Sequence, residues 1–237
     1  DFAYTLYLLL NADPNIEKTQ VKHYVLKWYV LTTLTSRYIS SPESAMDFDI
    51  KRIREKGFIN FFQEIESAEL ADNFWDVQLP QRLESASISS PYFNVFLAAQ
   101  VFFVYISLFC NGIKVSDLID VIGDIHHIFP RKYLIKNEIK ERNKYNQIAN
   151  FTYLDPQINK AIGDDAPCIY FKEALDATSK TKALYGNITN QEDLVINMAL
   201  NGIPEDIVNW DYNFYDEFLT KRRNNMAKKI RSYYETL

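Results

Sequence analysis

The chain has 237 residues, 47% of them hydrophobic and 15% aromatic. That is enough for a sizeable core, and it excludes a disordered chain, which lacks this much aromatic and branched apolar material. The formal net charge of −5 excludes a global basic field for nucleic acid, so any polyanion site has to be a local patch.

Six glycines argue against a turn-rich all-β protein. Cys110 and Cys168 are far apart and show no C-x-x-C spacing. A disulfide framework and a cysteine zinc site are therefore not expected, and a cytoplasmic location is. The opening stretch, DFAYTLYLLLNADPN, has neither an initiator Met nor a basic residue before its apolar run. It does not have the form of a signal peptide. The expectation is a piece of a longer protein with a partner domain N-terminal to it.

Val21, Tyr24, Val25, Trp28, Leu31 and Leu34 recur on one face of a helix. His23 lies in that helix with no neighbouring ligand set. Ser41-Pro42 is a helix start, with the helix running to about Lys56 and stopping at Gly57. FINFFQEIESAELADNFW continues the period. Ser90-Pro91 repeats the start signal ahead of YFNVFLAAQVFFVYISLFC (92–110), a run long enough to span a bilayer. Asn94, Gln100 and Ser107 interrupt it and no basic cluster flanks it, so a buried central helix ending near Asn111-Gly112 is expected, and no membrane span.

The stretch from 115 to 165 differs. VIGDIHHIF (121–129) and NFTYLD (150–155) are short β-like runs, and Asp155-Pro156 starts a short helix, PQINKAI. Thr189 and Glu192 have capping-box spacing. Phe218, Arg222, Met226, Ile230 and Tyr233 form one stripe of a C-terminal helix that is basic on its other face. The expected fold is mainly α, with a small ββα element embedded in it. The expected divisions are a helical domain over 1–114, the ββα element over 115–167, and a C-terminal helical segment over 168–237 that packs on both.

Two of the three histidines, His126 and His127, are adjacent in that element. Adjacent strand residues point to opposite faces, so packing alone can account for the pair. A metal-and-base site, however, needs one His to hold an ion and another to stay free beside it. Adjacent residues at a strand end can supply both if the strand twists or bulges there. Asn146, Asn150 and Asn159 follow, and Asn159 is placed on the short helix. Amide oxygen plus imidazole suits Mg²⁺ or Mn²⁺ better than zinc. The connection RKYLIKNEIKERNK (131–144) carries six basic residues against two acidic ones. A patch of that kind beside a metal suits a phosphodiester, with Arg131, Lys132 and Lys160 as candidate phosphate contacts. A solvated helix face is the plain alternative.

The pattern DIHHIFP…NQIANFTYLDPQINKAI resembles the HNH, or ββα-metal, nucleases, and is most similar to the C-terminal nuclease half of GmrSD-like modification-dependent restriction endonucleases. LKWYVLTTLTSRYISSPESAMDFDI (26–50) and YDEFLTKRRNNMAKKI (215–230) extend the likeness, but specific motifs lie only in 124–167. By position, the resemblance makes His126 and Asn159 the metal ligands and His127 the general base. It makes Asn150 the residue that steadies the loop and orients His127, with Asn146 as the competitor for that middle role. It implies Mg²⁺ or Mn²⁺ as cofactor and DNA as partner. It also implies a bacterial anti-phage context with a sensing or nucleotide-binding domain N-terminal to this region. The chain departs from the family in having no zinc knuckle, no Gly-rich turn before the middle Asn, and Asn rather than His at the third position. The competing expectation is a catalytically silent helical module, binding nucleic acid or a protein through the 131–144 patch and the basic C-terminal helix.

Overall fold

A computed structural model of the chain describes residues 2–121 and 125–237. It is mainly helical, with one two-stranded antiparallel sheet among the described residues. The chain forms two compact units, 1–79 with 230–237, and 80–229. The divisions expected at 114/115 and 167/168 fall inside the second unit.

The first unit holds α1 (Phe2–Ala12), α2 (Lys18–Thr35), α3 (Pro42–Lys56) and α4 (Phe58–Glu69), then a π-type turn over Phe74–Gln78. The helix expected from Ser41-Pro42 has the anticipated bounds. Gly57, with φ +79°, ends it in a conformation open to glycine. Its core is aromatic: Trp28 packs on Phe61 at 5.4 Å and Phe58 on Phe62 at 5.6 Å. The buried Asp49 receives both Nε and Nη2 of Arg37 at 2.7 Å, and the Tyr38 hydroxyl at 2.7 Å. A buried carboxylate with both oxygens engaged in this way is a satisfied structural group. His23 is exposed and lies edge-on to Tyr24.

A short α5 (Leu79–Arg82) opens at the unit boundary. The second unit then holds α6 (Pro91–Phe102), α7 (Val115–Asp120), β1 (Ile125–His127), α8 (Arg131–Lys136), α9 (Arg142–Tyr145), β2 (Phe151–Tyr153), α10 (Pro156–Ile162), α11 (Pro167–Thr178) and α12 (Gln191–Leu200). The last helix, α13 (Tyr215–Thr236), runs to the end of the chain. All five residues of its expected stripe are buried.

Two helix expectations are corrected. The apolar run after Pro91 is not one helix to Asn111. It stops at Phe102, Val104 takes φ +53°, and residues 103–114 form a loop with a single Ile106–Lys114 bridge. The amides of α12 supply the bonds a helix would have made internally. Phe109 N–H donates to Asn197 Oδ1 (2.9 Å), Asn197 Nδ2 donates to the Ser107 carbonyl (3.0 Å), and Asn201 Nδ2 donates to the Ile106 carbonyl (2.9 Å). The cap of α12 is Asn190, whose Oδ1 accepts from Asp193 N–H, rather than Thr189. Among the described residues no helix is long and apolar enough to cross a membrane.

Candidate active site

The strand β1 pairs antiparallel with β2, setting Ile125 opposite Tyr153, His126 opposite Thr152 and His127 opposite Phe151. Residues 122–124 of the expected first β run lie outside the described residues. The strand ends at His127, and Pro130 leads into α8. A buried Asn150, 0% exposed, fixes the turn out of the strand. Its Oδ1 accepts from Phe129 N–H (2.8 Å), and its Nδ2 donates to the carbonyls of Phe129 (3.0 Å) and Tyr145 (3.3 Å). The backbone adds Ile128 N–H to the Asn150 carbonyl at 2.8 Å, and α11 adds the Tyr170 hydroxyl to the Ile128 carbonyl at 2.7 Å. Phe129 packs on Phe218 of α13 at 4.8 Å. Burying such a ring contributes roughly 2–3 kcal/mol.

On the other side, Asp155 caps α10 by accepting from Gln157 and Ile158 N–H. This sets the helix across the hairpin and brings Asn159 to His126, with Nδ1 and Oδ1 2.6 Å apart. His126 is 3% exposed, and its Nε2 is buried without a hydrogen-bond partner. Burial pushes its pKa down to about 4, against the opposing effect of the Asn159 bond. An amide oxygen only accepts, so at 2.6 Å the two atoms are held together by a proton on Nδ1; to ligate one Mg²⁺ in its place they open to about 3 Å, the spacing of adjacent octahedral ligands.

His127 faces differently. Its ring lies edge-on to Phe151 at 4.9 Å, and its Nε2 is 2.9 Å from Asn146 Oδ1. Because that oxygen accepts, Nε2 carries the proton and Nδ1 keeps a free lone pair. Burial lowers the His127 pKa, and the Arg131 charge lowers it further. The resemblance gave the orienting task to Asn150; in the structure Asn146 makes that contact, and Asn150 holds the turn.

Both histidines and Asn159 line an open cleft of about 490 Å³, as do Arg131, Lys132 and Asp164. Arg131 lies over the Tyr145 ring at 5.1 Å, and Lys132 pairs with Asp164 at 3.4 Å. Lys160 is exposed on α10 and is not among the lining residues. The donors suited to an ion are thus one imidazole nitrogen and one amide oxygen. Among the described residues no group of three or more His, Cys, Asp or Glu side chains converges on a point. A donor pair of this kind fits Mg²⁺ or Mn²⁺, which keep several waters and take phosphate oxygens as ligands, and does not fit a closed zinc site.

Sequence reasoning missed two supports. Tyr170, buried in α11, gave no signal apart from its hydrophobic neighbours. Arg222 gave one, a charge on an apolar stripe. It is 0% exposed, and its guanidinium donates to the carbonyls of Ala149 (3.2 Å) and Asn201 (3.3 Å). It thereby holds the residue next to Asn150 in place. No protein-family model, curated protein or solved structure matches this chain.

Proposed function

We infer that residues 125–160 form a metal-dependent, HNH-type endonuclease site that hydrolyses DNA phosphodiester bonds, in an effector of the bacterial restriction kind. The observation that supports this reading is the meeting of His126 Nδ1 and Asn159 Oδ1 at 2.6 Å on the wall of a cleft that His127 also lines. The motif order DIHHIFP, Asn150, Asn159 supplies the family and the anti-phage context.

In this reading His126 and Asn159 hold Mg²⁺ or Mn²⁺, which when bound stabilises charge developing on the phosphate and the leaving oxygen. His127 takes a proton from the attacking water at Nδ1. Asn146 keeps the imidazole in the tautomer that leaves this atom free. Asn150 fixes the turn by which the chain leaves the strand after His127. Arg131 and Lys132, which line the cleft, meet the phosphate, and Lys160, exposed on α10 one residue beyond Asn159, is assigned to a flanking one.

The His126–Asn159 pair is equally a complete hydrogen bond when Nδ1 is protonated, and that favours a second reading, a silent module that binds nucleic acid without cutting it. Plasmid nicking separates the two. The full chain should nick in Mg²⁺ or Mn²⁺, lose the activity in EDTA, and lose at least about a hundredfold in rate in His127→Ala with the fold intact. Nicking that is equal in wild type and variant and insensitive to EDTA would overturn the assignment. DNA retention with no metal effect and no cleavage would favour the silent module.

A further inference from the structure

The cleft that holds the two histidines does not stand alone. Asn146 and Phe151, the two side chains placed against the His127 ring, are also walls of a second open cleft of about 730 Å³. The loop Ser85–Ile88, with Arg142 and Asn143, makes its other walls. His127 lines the first cleft, and the two side chains that touch its ring line the second.

The second cleft is built from fixed parts. Ile148 N–H donates to the Ser85 carbonyl (2.8 Å), tying the loop to a residue two positions ahead of Asn150. Ser87 N–H donates to Ser85 Oγ (3.2 Å), and Ser89 N–H to Ser87 Oγ (3.3 Å). Ile88 is left 53% exposed. Charge divides the nearby basic residues sharply. Lys140 is engaged by Glu138 at 2.6 Å and Lys144 by Glu141 at 2.9 Å. Arg142 is exposed and has no carboxylate within ion-pair distance among the described residues.

We propose that this second cleft is a subsite for the nucleotide that flanks the scissile phosphodiester beyond His127. Arg142 meets the flanking phosphate, Asn143 and the serine loop face the sugar, and Ile88 gives the base an apolar surface. The assignment rests on the nuclease reading of the first cleft. A polynucleotide continues on both sides of the bond that is cut, with about 3.4 Å of rise per nucleotide along a strand. A strand that runs from one cleft to the other therefore passes only the His127 ring and the Asn146 and Phe151 side chains set against it. A positive side chain along the backbone path, with apolar surface for the base, is the chemistry that single-strand grooves use.

The test compares two phosphodiesters on the full chain in Mn²⁺. Bis(p-nitrophenyl) phosphate is small enough to fill only the first cleft; a single-stranded oligonucleotide fills both. Arg142→Glu should raise the ratio of oligonucleotide KM to small-diester KM about tenfold or more, and weaken oligonucleotide binding in EDTA by a similar factor. Because Arg142 is exposed, folding is checked simply by an unchanged melting temperature. An unchanged ratio, with the wild type active, overturns the subsite and leaves the nuclease reading standing. A wild type inactive on both substrates overturns both.

Discussion

At the scale of single residues, the site rests on which atoms carry protons. Asn146 and Asn159 both present an oxygen to a histidine, and an oxygen dictates the tautomer of the ring it meets. That division was half legible in the sequence. The order of histidines and asparagines pointed to the cluster, but it gave the orienting role to Asn150 with Asn146 as the competitor, because order along the chain does not show which amide reaches the ring. What separates them is burial: Asn150 is enclosed and spends its amide on backbone groups, whereas Asn146 is half-buried beside the ring. Burial also makes His126 a source of pH dependence. Its pKa in the folded, metal-free chain is about 4, below the ordinary 6.5. Between these values the unfolded chain binds a proton that the folded chain refuses, so stability rises with pH. The contribution is fully present above pH 6.5 and is lost as pH falls to about 4, and is on the order of 3 kcal/mol. Urea unfolding in EDTA should show this slope in the wild type and lose most of it in His126→Gln. An equal slope in both would sink the account.

At the scale of elements, local signals succeeded where a side chain or a special backbone conformation marks the boundary. Pro42 and Gly57 bound α3, and Asp155-Pro156 opens α10, so both were legible. The run after Pro91 was not, because periodicity cannot tell a buried helix from a buried loop when both are apolar. The difference is made about 90 residues away by α12, whose Asn197 replaces lost backbone bonds in the loop. Sequence pattern has no access to a partner at that distance. The loop's dependence on one amide is testable. In Asn197→Ala, Phe109 N–H loses its partner inside the protein, while the Ser107 carbonyl keeps the Cys110 N–H at 3.1 Å. A buried group left unpaired costs about 1–3 kcal/mol, so the expected loss is roughly 1–3 kcal/mol in chemical unfolding. Substitution of the exposed Asn143 gives the comparison and should cost within about 0.5 kcal/mol. A loss no larger for Asn197 than for Asn143 would mean that other contacts hold the loop.

At the scale of the whole molecule, the charge balance sets how this chain can meet a polyanion. A net charge of −5 repels a nucleic acid on average, so attraction has to come from cations that no carboxylate neutralises. Of the basic residues near the two clefts, Lys132, Lys140 and Lys144 are ion-paired. Arg131, Lys136, Arg142 and Lys160 are exposed, with no carboxylate within ion-pair distance among the described residues. The sequence alone showed a surplus of positive charge here but not which charges were free, because pairing depends on side-chain geometry. The free set predicts a number. Each phosphate neutralised contributes about −0.9 to the slope of log binding constant against log salt concentration. With four free cations on α8, α9 and α10, duplex binding should follow a slope of about −3 to −4. Fluorescence anisotropy across a KCl series in EDTA measures it without cleavage. Charge reversal at Arg131 and Arg142 together should flatten the slope by roughly two contacts' worth, and reversal at the paired Lys140 should change it little. A slope near zero would remove DNA from the list of partners. A slope far steeper than four contacts allow would place the binding surface elsewhere on the chain, on the basic face of α13.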